Sequence, residues 1–333
     1  MEDAKRNPVH EEDRSFLDIE VEKVTGLHSH PAKDALAVEE PLEIQLGHGP
    51  AHARAVKSIS VTMRTPGYDF ELAAGFLLTE GVVRDANDIE RITYVAGKIG
   101  NPPKLNTGEQ SALPYQPAKN VVLVDLAPDV VVSMANLERN FYTTSSCGIC
   151  GKASLLALQT VCPPRMQNRF SISAQVLYTL PHRLREAQSV FNRTGGLHGA
   201  GLFDSEGTLL GLREDVGRHN AVDKLLGAEF LADRTPLRHA LLMLSGRASF
   251  ELLQKALMGG VSMVASVGAP SSLAVQVARD FNIALVGFLR DDNFNIYHGP
   301  EHISGYASSN CPKGGKHEAT NEGKLPAVAD IAL

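Results

Sequence analysis

The sequence predicts two folded parts of different class: a smaller α+β part, then a larger α/β part. Two observations carry this. After Ala240 the pattern runs strand, helix, strand, helix, strand, which implies parallel strands joined by right-handed crossovers. Earlier, Leu42-Glu43-Ile44-Gln45-Leu46 alternates strictly, and a second strand over Ala55 to Met63 returns across the turn Gly47-His48-Gly49-Pro50. The length of 333 residues fits two domains at roughly 150 residues each, and the pair Pro163-Pro164 suits a boundary.

In chain order, residues 1–38 read as a mobile N-terminal arm, with a short alternation at Leu17, Ile19 and Val21 suited to an edge strand. A mixed α+β domain over 39–145 follows. In it, Thr65-Pro66-Gly67-Tyr68-Asp69 closes the hairpin arm, Asp69 caps a helix over Phe70 to Thr79, and Gly81 suits the left-handed residue after its end. Strands are expected at Ile89 to Val95 and Asn120 to Leu126, then a helix at Ala135 to Tyr142. Residues 146–168 form a cysteine-bearing loop and a helix, Lys152 to Val161, that stops before the prolines. The larger domain spans 169–304. Its expected helices are Leu184 to Thr194, ended by Gly195-Gly196, then Asn220 to Leu226, Phe250 to Met258 and Leu273 to Phe281. Its strands are Gly201 to Phe203, Leu209 to Gly211, Ala240 to Leu244, Ser262 to Val267, Ala284 to Leu289 and the edge strand Asn295 to His298. From 305 to 333 the composition turns polar and predicts a disordered tail.

Composition excludes some functions. Trp is absent and aromatics are 6%, so a base-stacking nucleic-acid surface is poorly supplied. The net charge of -6 argues against a generally basic nucleic-acid or membrane binder. Met1 to Asp13 lacks the apolar run of a secretory signal, and no stretch approaches the ~20 apolar residues that span a bilayer. A soluble, cytoplasmic protein is expected.

The chemistry centres on Ser146-Cys147-Gly148-Ile149-Cys150-Gly151-Lys152. At the start of a helix, amide dipoles and Lys152 favour a thiolate, and the glycines allow close approach to the sulfur. Such a thiolate attacks disulfide or persulfide sulfur. Half of a zinc site, a redox disulfide motif and two plain buried cysteines remain as alternatives. Zinc is not expected, because Cys162 and Cys311 are far off in sequence.

Four more segments are candidates for a ligand. Gly195-Gly196-Leu197-His198-Gly199-Ala200-Gly201 implies a tight bend or a close guest around His198, although a lone His is more often structural. Arg213 to Lys224 is either a solvated face or, at Gly217-Arg218-His219, an anion-binding helix start. Ser245-Gly246-Arg247-Ala248-Ser249 and Gly268-Ala269-Pro270-Ser271-Ser272 follow strands, where ligands of open α/β sheets gather. Phe288-Leu289-Arg290-Asp291-Asp292-Asn293 closes the next strand, as a plain hairpin or a base-reading edge of the same rim.

These motifs together resemble the formate dehydrogenase accessory sulfurtransferases (FdhD family): Thr144 to Lys152, Gly196 to Gly201, Asp215 to Lys224 and Ser245-Gly246-Arg247. The likeness runs from about Pro41 to Ile303, with Met63-Arg64-Thr65-Pro66-Gly67 and Gly75 to Gly81 in order. It implies a cytidine-deaminase-like three-layer α/β/α second domain that binds cofactor. It also implies a sulfur relay from a cysteine desulfurase to the molybdenum bis(molybdopterin guanine dinucleotide) cofactor, for the catalytic subunit of formate dehydrogenase, by a homodimer. Cys147 would carry the persulfide and Cys150 would assist. The cofactor would contact Phe288, Leu289, Arg290, Asp291, Asp292 and Asn293, with Gly196, His198, Arg218, His219, Ser245, Gly246 and Arg247 at the adjoining rim. The zinc-deaminase signature is missing, since Gly199-Ala200 follows His198 and the second domain before the tail holds no cysteine. The rival reading is a nucleotide- or cofactor-binding chaperone with structural or zinc-bound cysteines.

Overall fold

The computed structural model describes residues 15–95, 119–132 and 170–307. It opens with an antiparallel hairpin, β1 (Phe16–Thr25) paired along its length with β2 (His28–Ala37). This corrects the expected mobile arm for residues 16–37. Gly26, at φ 64°, supplies the left-handed turn residue. Glu20 and Lys33 stand opposite each other, a favourable cross-strand pair. The base is anchored: Arg193 reaches Asp18 at 3.2 Å and lies 3.7 Å over the Phe16 ring.

Four strands form the next sheet: β3 (Glu40–His48), β4 (Ala55–Arg64), β5 (Ile89–Tyr94) and β6 (Val121–Leu126), in the order β4-β3-β6-β5. Alternation in β3 sends Leu42, Ile44 and Leu46 inward, where they pack on Leu72, Ala73 and Leu77 of α1 (Asp69–Thr79). Asp69 does not cap this helix. Tyr68, at φ 58°, holds the cap position, and the Asp69 carboxylate accepts 2.9 Å hydrogen bonds from both Nε and Nη2 of the buried Arg64. A guanidinium buried so deeply needs its counter-charge more than the helix needs a cap. Gly81, just past the helix, has φ 72°.

The larger part is a six-stranded mixed sheet. Its strands are β8 (His198–Phe203), β9 (Leu209–Asp215), β10 (Leu241–Leu244), β11 (Met263–Ser266), β12 (Ala284–Gly287) and β13 (Asn295–His298), in the order β13-β12-β11-β10-β8-β9. The strands β10, β11 and β12 are parallel, as the helix-strand alternation requires. Leu242, Leu244, Val264 and Leu285 face one way, onto α4 (Arg218–Leu231), α5 (Phe250–Met258) and α6 (Ser272–Phe281). Leu241, Met243, Met263 and Val286 face the other, onto α2 (Ala174–Ala187). Beside α2 a small parallel pair joins β7 (Ile172–Ser173) to β14 (Ile303–Ser304).

Three expectations here are corrected. The single helix Leu184 to Thr194 is two helices, α2 and α3 (Ser189–Thr194), parted at Gln188. The first starts early because Ser173 Oγ accepts from Val176 N at 3.2 Å, and it runs through Pro181 because Leu177, Leu180 and Leu184 bury one face. The glycine-rich bend is short: Gly195 has φ 67°, but from His198 onward the backbone is strand, paired with β9. The helix predicted at Asn220 to Leu226 is twice as long, as Phe230 joins the core on α1.

The two parts meet without a gap. A Cβ at Gly75 would lie 1.8 Å from the Asp223 carbonyl oxygen, and one at Gly227 would lie 1.9 Å from that of Glu71. Here α1 and α4 cross backbone to backbone. Around the crossing, Thr65 N donates to Asp215 Oδ2, Lys224 Nζ donates to Thr65 O at 2.8 Å, and Asn220 Nδ2 donates to Met63 O at 2.8 Å. Lys224 and Asp215, both fully buried, pair at 2.7 Å. Further along, Asp223 accepts from Thr79 Oγ1 at 2.8 Å and Lys255 Nζ at 2.9 Å.

Candidate functional site

One end of the six-stranded sheet gathers the start of β8 with the ends of β9, β10, β11 and β12. The turns that leave these strands are bonded side by side. Ser245 N donates to Gly199 O at 3.0 Å, and Gly199 N donates back to Ser245 Oγ at 2.9 Å. Gly268 N donates to Gly246 O at 2.9 Å, and Phe288 N donates to Gly268 O at 3.1 Å. A cleft of about 600 Å³ opens between this rim and the α2–α3 pair. Leu184, Phe191, Leu197 and Val267 give it apolar walls, while His182, Arg185, Gln188, His198, Ser245 and Asp291 supply polar groups. That volume falls in the range of about 300–1,000 Å³ usual for small-molecule sites.

Of the residues singled out from sequence, Gly196, His198, Ser245 and Asp291 line this one cleft. Gly246 backs it, since a Cβ there would lie 3.6 Å from His198 Nδ1. Arg218 and His219 are the first residues of α4, and Arg218 brings positive charge to bear on His198. The His198 imidazole titrates below its ordinary value, chiefly because of burial and then because of Arg218 and His219, with Asp215 opposing. Arg218 Nε is shielded from solvent and has no hydrogen-bond partner. On the other side of His219, Glu251 lies 3.9 Å away, and mainly through that neighbour its carboxyl is held at about 2.

The remaining rim residues are spread along the turns. Arg247 is exposed after β10. Phe288, at φ 54° and 38% exposed, begins the turn after β12, and Arg290 N closes that turn on Asn293 O at 2.9 Å. Asp292 and Asn293 are exposed there. Asp291 reaches across the cleft mouth to His182 at 3.3 Å. Leu289 is corrected: its side chain is fully buried with Phe203 and Val286, and its N–H donates to Ser266 O, so it holds the turn rather than facing a guest. Cys147, Cys150, Cys162 and Cys311, with the helices expected at Ala135 to Tyr142 and Lys152 to Val161, lie outside the described residues. Among the described residues no helix is long and apolar enough to cross a membrane.

Reading the sequence expected a helix over Leu184 to Thr194 but did not place His182, Arg185, Gln188 or Phe191 at the site. Only Ser173, a good cap residue, signalled where that wall begins. Arg185 lies 3.9 Å over the Phe191 ring, so the wall pairs a cation with an aromatic face. Glu214, on β9, fixes the wall by accepting from Val190 N at 3.1 Å and Phe191 N at 2.8 Å. Burial raises the Glu214 carboxyl above its ordinary range, against the pull of those amides and of Gln188.

Comparison with known proteins gives a consistent result. The model of the FdhD/NarQ family matches residues 37–304. Three curated relatives carry the name Sulfur carrier protein FdhD. That of Mycolicibacterium paratuberculosis is 49% identical over 271 residues, 79% of this chain and 90% of the relative. That of Streptomyces avermitilis is 48% identical over 273 residues, 81% and 89%. That of Sulfolobus acidocaldarius is 35% identical over 285 residues, 86% and 97%. Among solved structures, a candidate formate dehydrogenase accessory protein from Desulfotalea psychrophila aligns with TM-score 0.62 at 21% identity, over 87% of this chain and 99% of that one. The last likeness concerns the fold.

Proposed function

The chain belongs to the FdhD/NarQ family, and from that premise we propose that it is a sulfur carrier for the maturation of formate dehydrogenase. In this reading Cys147 thiolate attacks the outer sulfur of a cysteine desulfurase persulfide. A new S–S bond forms on Cys147 and the desulfurase thiolate leaves. The acceptor is the molybdenum bis(molybdopterin guanine dinucleotide) cofactor, held as a substrate by the larger part, whose three layers suit the cytidine-deaminase-like scaffold that the resemblance implies. Cys150 attacks the inner sulfur, releases sulfide to the acceptor and leaves an internal disulfide, which an external dithiol returns to two thiols by exchange.

The observation that carries the reading is the cleft at the strand ends. It has apolar walls for a base, and Arg185, Arg218 and His219 nearby favour phosphate groups. A half-buried, neutral His198 can donate or accept a hydrogen bond there. One cleft of about 600 Å³ suits one nucleotide arm of a two-armed cofactor, and a homodimer offers two.

The test is mass spectrometry of the whole chain after incubation with a cysteine desulfurase and cysteine. One labile sulfur is expected on the wild type and none on Cys147→Ala. Full sulfur gain by Cys147→Ala removes the relay. Tightly held zinc on the cysteine pair would do the same, because it leaves no free nucleophile.

A further inference from the structure

The helix α3 is the most lightly held piece of the cleft wall. It has six residues and buries none of them, and a helix of that length does not stand on its own in water. Both of its ends are breaks. Gln188 parts it from α2 at φ -75° and ψ 81°, and Gly195, at φ 67°, ends it before Gly196 and the start of β8. On its outer side Arg193 ties it to the β1–β2 hairpin through Asp18 and the Phe16 ring. That ion pair is about half exposed, and exposed pairs are worth little.

One carboxylate fastens α3 to the sheet. Gln188 holds the N-cap position but makes no side-chain cap bond. The amides that a cap would serve, Val190 N and Phe191 N, donate instead to Oε2 and Oε1 of Glu214 at 3.1 and 2.8 Å. The Gln188 side chain acts on the same carboxylate. A residue of β9 thus caps a helix of another element, and through it places Phe191 and the Arg185 stacked on that ring in the cleft wall.

We propose that α3 is a gate of the cleft and Glu214 its latch: the helix swings out between its two end breaks when the carboxylate lets go of the Val190 and Phe191 amides. This rests on the cleft being the seat of a guest, but not on which guest it takes.

Proton uptake tightens the latch. Burial is the largest influence on Glu214 and raises its carboxyl, while the two amides, Gln188 and the Arg185 guanidinium of α2 oppose it. Arg213 and Asp215, its neighbours on β9, alternate to the other face and are paired with Glu71 and Lys224. Gly199, opposite Glu214 on β8, carries no charge. With α3 swung out, water reaches the carboxylate and its pKa returns toward the ordinary value. The closed state therefore holds the proton more tightly. Closure is favoured as pH falls through the closed-state value and weakens as pH rises through it.

The test is amide hydrogen exchange of the full chain by NMR across a pH series, each rate divided by its intrinsic rate. Protection at Val190 and Phe191 should rise as pH falls, by about tenfold for each unit that separates the closed and open pKa values. Glu214→Gln, which cannot ionise, should give a flat profile at these two amides. A flat wild-type profile, a fall in protection toward acid, or the same slope in Glu214→Gln overturns the latch. Equal protection from Leu184 through Phe191 means that α2 and α3 open as one, which removes the gate. Access is read separately. The chain has no Trp, so Phe191→Trp places a single fluorophore in the wall, and its quenching by acrylamide should rise with pH in step with exchange; quenching that stays constant refutes the gate. If Glu214→Gln does not fold, the wild-type exchange profile and the quenching decide. None of these readouts needs a guest, so failure of the gate and failure of the sulfur-carrier reading are told apart.

Discussion

His198 shows how a single side chain acquires its chemistry from neighbours the local sequence does not contain. Half-buried, with the Arg218 guanidinium adding to the effect, it favours the neutral form more than a free imidazole does. Its folded-state pKa lies below the unfolded value of about 6.5. As pH falls through that value the unfolded chain takes a proton that the folded chain resists, so stability falls until the folded pKa is reached. Urea denaturation across a pH series should show this loss below about pH 6.5, with a flatter profile for His198→Asn; equal slopes would contradict the assignment. The glycines around His198 made the residue conspicuous in the sequence. The cleft wall at Gln188 was not legible, because Glu214, which accepts from the first amides of α3, comes from another element. Asp69 misled for a related reason: a carboxylate before a helical run looks like a cap, and only the fold reveals that Arg64 claims it.

At the level of elements, α1 and α4 touch through glycine. Gly75→Ala must push the Asp223 carbonyl away, and backbone does not yield as a side chain does. A loss of about 3 kcal/mol in unfolding free energy is expected, the upper end for overpacking. Gly211→Ala, whose Cβ would meet only side-chain ends, Leu225 Cδ1 at 3.3 Å and Glu229 Oε1 at 3.6 Å, should change stability by less than about 1 kcal/mol. Chemical denaturation of both variants checks the contrast. Strands with strict alternation and helices between parallel strands were legible along the chain, because their periodicity is local. The exceptions broke a local rule for a distant gain. The helix α2 tolerates Pro181 because its leucines fill the core, and the β1–β2 hairpin stands because α3 anchors it.

Across the whole molecule, the segment Asp215 to Lys224 joins the two parts rather than serving only as a ligand site. Its Asp215, Asn220, Asp223 and Lys224 all bond to Met63, Thr65 or Thr79, or to one another. Only Arg218 and His219 are left for the rim. The sequence marked the segment as special but not as a seam, because its partners lie some 150 residues upstream. Lys224→Met strands the buried Asp215 carboxylate, at a cost of about 3–5 kcal/mol. In urea the wild type should unfold in one transition seen alike by circular dichroism and fluorescence; two separated transitions would mean the seam does not couple the parts. The glycine crossing also limits how the molecule can breathe. Two helices in main-chain contact have no cushion of side chains on which to slide, so the parts cannot swing like jaws. Among the described residues, any opening of the cleft is then left to short pieces, the turn from Phe288 to Asn293 and the six-residue helix α3, rather than to movement of one part against the other.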